Sequence, residues 1–443
     1  MLFGNCSLFF KETQIKKFDI TNFQYMFEQY KLKNKINVIL KPQRDTQSTT
    51  FLVMYPVGSR YESQKMSGVS HYVEHLMFKG TEKRKNTLTL TREIDRLGAE
   101  YNAFTGKEYT AYYIKVDVQY TQVALDILSD MLFHSKFDPK EMEKEKPVIV
   151  EELRMYRDNP LMNIENVFEE NLYQGALGRD IGGTDKHVMG FDRKDVLAFR
   201  DKYYHPKAMT VVVAGKIHDD LKNFIAQYFE NTSASKPIAS HYEVGSFGSA
   251  KKQDRLKVQY KKTDQSQLMI GFPGFSHTDE KNYAGSVLNT IFGGSMSSRL
   301  FIQVRERRGL AYMVRSGSEN YRDTGYFFIR AGLENKNINK ALGVMQQEIE
   351  KLIKKGVTKR ELADAKTHIR GSVTLSFEDS STQANWYARQ ALFQSQIETP
   401  EQELKRIEAV TAEEIQSLAK EVFDWNKVRI AVIGDIDEKN IHF

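Results

Sequence analysis

A single cysteine, Cys6, stands in 443 residues. No internal disulfide can form, and the usage fits a reducing compartment. Long apolar runs are missing too. No stretch approaches the ~18 residues that a membrane helix needs, so no spanning segment is expected. The first ten residues are apolar in places but carry no basic residue ahead of their short apolar stretch. That is a poor secretion signal, and a cytoplasmic protein is the expectation. Charge of one sign is scarce as well. The net charge is +6, with Lys and Arg interspersed among Asp and Glu, as in 141–146. This reads as solvated helix surface and makes no case for nucleic acid.

What is present describes a globular chain, 40% hydrophobic and 28% charged. Its length exceeds one typical core and predicts two or more domains. The chain repeats itself once at a long period. In the first half, a strand-like run at 49–56 and helical stretches precede a hairpin-like segment at 100–116. Amphipathic helical stretches follow at 120–133 and 139–157, then a helix at 194–204 and a buried-strand run at 209–215. The second half has strand runs at 256–260 and 267–272, a helical run at 283–292 and paired strands at 312–319 and 325–333. Helical runs at 338–355 and 359–375 follow, and 412–423 with 428–434 repeats the helix–turn–strand–Gly ending. Such alternation implies layered α and β structure with mixed sheets. The fold class expected is α+β: two similar tandem α/β domains, their mixed, mostly antiparallel sheets flanked by helices. The first domain spans 1–230 and the second 256–443. The aperiodic stretch 231–255, rich in Ser, Gly, Ala and Lys with Pro237, is the linker.

Five residues carry the chemistry. His71, Tyr72, Val73, Glu74 and His75 spell H-x-x-E-H. A chain of this composition would show His-x-x-(Asp/Glu)-His by chance about 0.03 times. On a helix opened at Gly68 or Ser70, His71 and His75 stand one turn apart on one face and can share a metal ion. A hydrolytic zinc site takes three protein ligands and keeps one position open for water. Glu74 is then a carboxylate that can accept the water's proton. Glu152 is the candidate third ligand. The corresponding stretch of the second half, 285–294, contains no His, so only the first half can hold the metal.

With these residues in hand, the chain resembles the pitrilysin/insulinase superfamily of inverted-motif zinc peptidases. It is most similar to the short-chain, processing-peptidase-like branch. The resemblance covers nearly the whole chain. It rests on GVSHYVEHLMFKGT at 68–81, NAFT at 102–105, EKPVIVEE at 145–152 and GGSMSSRLFIQVRERRGLAY at 293–312. It implies one zinc per chain on His71, His75 and Glu152, with Glu74 as the base. Glu151 is the adjacent alternative, but helical facing favours Glu152, which forms an i, i+7 pair with Glu145. The resemblance also makes Glu145 a supporting carboxylate. Asn102 and Ala103 become an edge strand that pairs with substrate. Arg305 and Tyr312 become a pair that reaches the first domain and holds the peptide near the metal. The short-chain form is half of a clam-shell chamber, which implies a homodimer, or a heterodimer with an inactive homologue. The function implied is a zinc-dependent endopeptidase acting on extended peptides or unfolded segments.

Competing readings stand beside these. Glu145 has the alternative of a solvated face residue, Asn102 of a turn or bulge residue, and Tyr312 of a core aromatic. Pro147, inside a helical stretch, predicts a kink that rotates Glu145 relative to Glu152. The cluster at 293–295 lacks the phosphate-loop pattern and reads as a short turn. His134, His187 and His205 have no partner spacing. Two other functions compete with catalysis: a scaffold subunit that keeps the fold without activity, and an unrelated metal-binding module.

Overall fold

A computed structural model describes residues 27–230, 241–248 and 251–443. Cys6, the apolar start and parts of the expected linker lie outside the described residues. Two sheets organise the rest. Across the six-stranded sheet the order is Glu28–Lys31, Asn37–Pro42, Thr210–Gly215, Ser48–Tyr55, Thr110–Asp117 and Glu100–Thr105. Across the five-stranded sheet it is Leu256–Tyr260, Arg429–Gly434, Gln265–Pro273, Gly325–Glu334 and Ala311–Asn320.

The last five strands of the first order match the second strand for strand. In each sheet the first two of the five are parallel and every later pair is antiparallel. The repeat expected from the sequence is thus a repeat of topology. The strand runs are apolar at consecutive positions because both faces of each sheet are covered. In Ser48–Tyr55, Phe51, Val53 and Tyr55 face one core while Leu52 and Met54 face another.

The second covering layer is exchanged between the halves. Helix Pro160–Leu172, from the first half, packs Ile164, Val167, Phe168 and Leu172 on Met269, Ala431 and Ile433 of the second sheet. Helix Ser380–Phe393, from the second half, packs Ala384, Tyr387 and Ala388 on Ile39, Leu52, Met54 and Val212 of the first. The described part of the expected linker is also tied down. Ser246–Phe247 pairs with Tyr173–Gln174, and the Glu243 carboxylate accepts the Ala176 N–H at 3.0 Å. Among the described residues no helix is long and apolar enough to cross a membrane.

Candidate metal centre

Helix Val69–Leu76 buries Val69, Tyr72, Val73 and Leu76 in the first core. Tyr72 also donates its hydroxyl to the Met142 carbonyl at 2.7 Å. That bond pins it to the long helix Pro139–Asp158. With one face fixed in this way, the 3.6-residue period turns His71, Glu74 and His75 towards the cleft. The long helix supplies the remaining groups.

Three ligand atoms converge. His71 Nε2 and His75 Nε2 are 3.2 Å apart. Glu152 Oε2 lies 3.3 Å from His75 Nε2 and 3.7 Å from His71 Nε2. Nitrogen and oxygen ligands about 2.0–2.1 Å from a tetrahedral ion stand roughly 3.3 Å from one another. The donor set and its spacing therefore fit zinc. Glu151 does not share the site; it is 70% exposed and pairs with Arg154 at 2.5 Å.

Electrostatics point the same way. Burial and the neighbouring His75 push His71 down as a proton carrier. Burial opposes a charge on His75 too, but Glu145 and Glu152 outweigh it and push His75 up. Glu145 and Glu152 thus favour positive charge beside the two imidazoles. The Glu152 carboxyl is lowered, first by its bond to His75, against the effect of burial.

Glu145 sits on the other side of His75. Its Oε1 bonds His75 Nδ1 at 2.8 Å, and its Oε2 meets Lys79 Nζ at 2.5 Å. It is 5% exposed, so it does not belong to a solvated face. The helix is continuous from Pro139 to Asp158 with Pro147 inside it, and Glu145 and Glu152 both reach His75. His71 Nδ1 has no such partner; it is buried without a hydrogen bond among the described residues.

Glu74 stands in the same cleft as His71 and Glu152. It accepts a hydrogen bond from the Thr105 hydroxyl. Burial raises its carboxyl, with Thr105 and His75 opposing. A carboxylate raised towards neutrality is a better proton acceptor at working pH. Asn102 and Ala103 lie on Glu100–Thr105, the outer strand of the sheet, paired on one side only. The Ala103 N–H is held by the Asn102 side-chain oxygen at 2.9 Å. That amide is thus bonded within its own strand and not to a neighbouring one.

Arg305 and Tyr312 stand apart from these groups. The Arg305 guanidinium lies 4.7 Å from the Phe301 ring and 5.5 Å from the Tyr312 ring, so the two do pair. They do not reach the cleft beside His71. From the second half that cleft is lined by His277, Glu319, Tyr321 and Arg389. The reason is local. The ladder shifts register between Ala311 and Met313, which leaves Tyr312 as a bulge residue. Met313 and Arg315 share a cavity with Tyr156, while Tyr312 is 77% exposed and is no core aromatic. Alternation on a strand, reset by the bulge, sends it elsewhere.

Sequence reasoning passed over Thr105, Lys79 and Glu62. Thr105 ends the NAFT marker and Lys79 lies one turn past His75, so both signals were available.

Known proteins supply the family and the fold. Residues 37–185 match the family described as Insulinase (Peptidase family M16), and 190–369 match the Peptidase M16 inactive domain. The uncharacterized zinc protease YmxG of Bacillus subtilis is 34% identical, over 90% of this chain and 96% of its own. An uncharacterized zinc protease of Streptomyces coelicolor is 32% identical, over 92% and 89%. The chain belongs to peptidase family M16. Its fold is that of M16-like structures. The structure of a protease from Helicobacter pylori superposes with a TM-score of 0.86 at 23% identity, over 93% of this chain and all of that one. One from Pseudomonas fluorescens, titled as an M16 inactive domain, gives 0.84 at 19% identity, over 93% and 98%. Within this M16 chain the inactive-domain match falls on residues that include the His-free stretch 285–294, and the H-x-x-E-H sequence falls in the other.

Proposed function

We propose that this M16 chain is an active zinc endopeptidase, with its catalytic half in residues 1–230 and a homologous half in 256–443. The observation that carries the reading is the convergence of His71, His75 and Glu152 at tetrahedral ligand spacing, with Glu74 beside them and outside the ligand set. One zinc per chain binds those three residues. When bound, it supplies Lewis-acid polarisation of a scissile carbonyl and of water. Glu74 accepts the water proton as attack proceeds and passes it to the leaving amine nitrogen. Glu145 holds His75 by its Nδ1–H and so fixes which nitrogen faces the ion. The substrate lies along Asn102 and Ala103 as an added strand. Main-chain pairing of that kind favours extended peptides and unfolded segments over folded proteins.

The Arg305–Tyr312 pair serves a second copy of the chain in a homodimer. Its support is the pre-assembled stacking of the two side chains and the exposure of a bulged Tyr312 that its own cleft does not use. In the partner's cleft the Tyr312 hydroxyl is a donor for the developing oxyanion, and Arg305 holds a substrate carbonyl or carboxylate.

The test is incubation of the purified chain with a peptide library, with and without chelator, read by mass spectrometry. Cleavages that vanish on chelation and return with zinc support the reading. A fully zinc-loaded protein that cleaves nothing replaces it with the scaffold role.

A further inference from the structure

The metal helix starts without a side-chain cap of its own. Its N-cap is Gly68, at φ 95°, with no capping side chain. A Cβ at that position would stand 2.4 Å from the Gly182 carbonyl oxygen, so no Ser, Thr or Asp fits there. The first amides of any helix are orphan donors. An eight-residue helix is also too short to hold itself in water. Glu62 supplies what Gly68 lacks. One carboxylate oxygen accepts the Gly68 N–H and the other the Ser70 N–H, each at 2.7 Å. The residue is 5% exposed, and its charge lies at the positive end of the helix.

Glu62 is in turn held from the second half. It directly follows the short turn Ser59–Tyr61. The Arg60 side chain there is fully buried and bonds Glu108 at 2.6 Å and both carboxylate oxygens of Asp323 at 2.6 Å. Asp323 sits in the turn joining Ala311–Asn320 to Gly325–Glu334. Its neighbour Arg322 donates from its backbone to Glu108 at 3.1 Å and from Nε to the Tyr61 hydroxyl at 3.1 Å. The two residues before Glu62 are therefore gripped by one turn of the second sheet.

We propose that Glu62 is a positioning residue for the metal centre, set from the second half through Asp323 and Arg60. The proposal rests on the zinc-peptidase reading above. It gives the half without the H-x-x-E-H sequence a task inside its own chain, separate from the Arg305–Tyr312 pair. The linkage is short: Ser70 precedes His71, and Glu74 follows one turn later. A displacement of about 1 Å among reacting groups costs on the order of 100-fold in rate.

The test compares full-length Glu62→Gln, Glu62→Asp, Asp323→Asn and the Glu62→Gln/Asp323→Asn double variant. Assays run at pH 8.5, above the value near 7 to which burial raises the Glu62 carboxyl. Three quantities are read: amide exchange at Gly68 and Ser70 in the metal-free protein, the visible spectrum of the cobalt-substituted protein, and kcat against KM on a fluorogenic peptide. Both single neutral variants are expected to speed exchange at the two amides, by roughly 100-fold for Glu62→Gln and less for Asp323→Asn. They shift the cobalt spectrum and lower kcat more than tenfold with KM within twofold. The double variant is no worse than Glu62→Gln, because both act through one carboxylate. Glu62→Asp recovers part of kcat. The proposal is overturned if Asp323→Asn leaves exchange at Gly68 and Ser70 unchanged, or if the double variant is multiplicative. It is also overturned if kcat falls only with the folded fraction. Exchange is read without metal or turnover, so a protein that proves inactive still tests the linkage, and the peptidase reading falls separately.

Discussion

Each residue at the centre has a different expected signature. His71→Ala and Glu152→Gln each remove one of three ligands, so purified protein loses zinc by elemental analysis, while Glu151→Gln retains it. Full zinc in Glu152→Gln would contradict the ligand set. Glu74 is outside that set, and its proposed task is proton transfer. Glu74→Gln should keep zinc and peptide binding and lose about 100- to 10,000-fold in turnover. Glu145→Gln leaves all three ligands but frees the His75 ring, so metal affinity drops by about 10- to 100-fold, measurable by competition with a chelator. The motif and its spacing were legible in the sequence because H-x-x-E-H is local. Glu62 was not, since its partners Gly68 and Ser70 are reached only after the chain turns at 64–66. The Glu145–Lys79 contact joins the long helix to the turn that follows Val69–Leu76, far apart in sequence.

At the scale of elements, propensity and pattern located most strands and helices, because alternation and 3.6-residue periodicity are local signals. The two exchanged helices escaped. Nothing in Ser380–Phe393 says that its apolar side meets strands more than 150 residues earlier, yet Tyr387 there is fully buried against the first sheet. Tyr387→Ala should therefore destabilise the protein by about 3–5 kcal/mol. The loss is expected in the first-half core, read by exchange at the amides of Thr210–Gly215. A loss confined to the second core would contradict the packing. Capping offers a second measurement. Helix Lys359–Ser376 opens with a capping box of Thr358 and Glu361, and Arg299 bonds both Glu361 oxygens at 2.7 and 2.9 Å. Burial alone would raise Glu361, but Arg299 and the Thr358 N–H outweigh it and hold the carboxyl at about 2. The folded value lies below the unfolded one. The stabilisation is therefore full above the unfolded value and is lost as pH falls from about 5 towards 2. With the side chain 30% exposed, the worth is about 2 kcal/mol after screening. Glu361→Gln should cost that much in urea unfolding at pH 7 and only about a quarter of it at pH 2.5.

At the scale of the whole molecule, the exchanged helices make the two halves of one chain interdependent. A first half cut at Phe229 would lack the cover over Ile39, Leu52, Met54 and Val212 and would expose that sheet face. On the proposed reading the site has two dependences on the second half, one within the chain through packing and Asp323, and one between chains through Arg305 and Tyr312. Mixing variants separates them. Glu74→Gln is inactive at its own centre but presents an intact pair. Tyr312→Phe keeps its centre but lacks the hydroxyl. If the pair acts between copies, an exchanged dimer of the two carries one complete site of two. A 1:1 mixture then recovers up to about a quarter of wild-type sites, half of the dimers being mixed and each half-active. If the pair acts within its own chain, mixing adds nothing to the sum of the separate proteins. Recovery that grows with exchange time, followed as kcat on a fluorogenic peptide, supports the homodimer; no recovery between fully exchanged partners removes it.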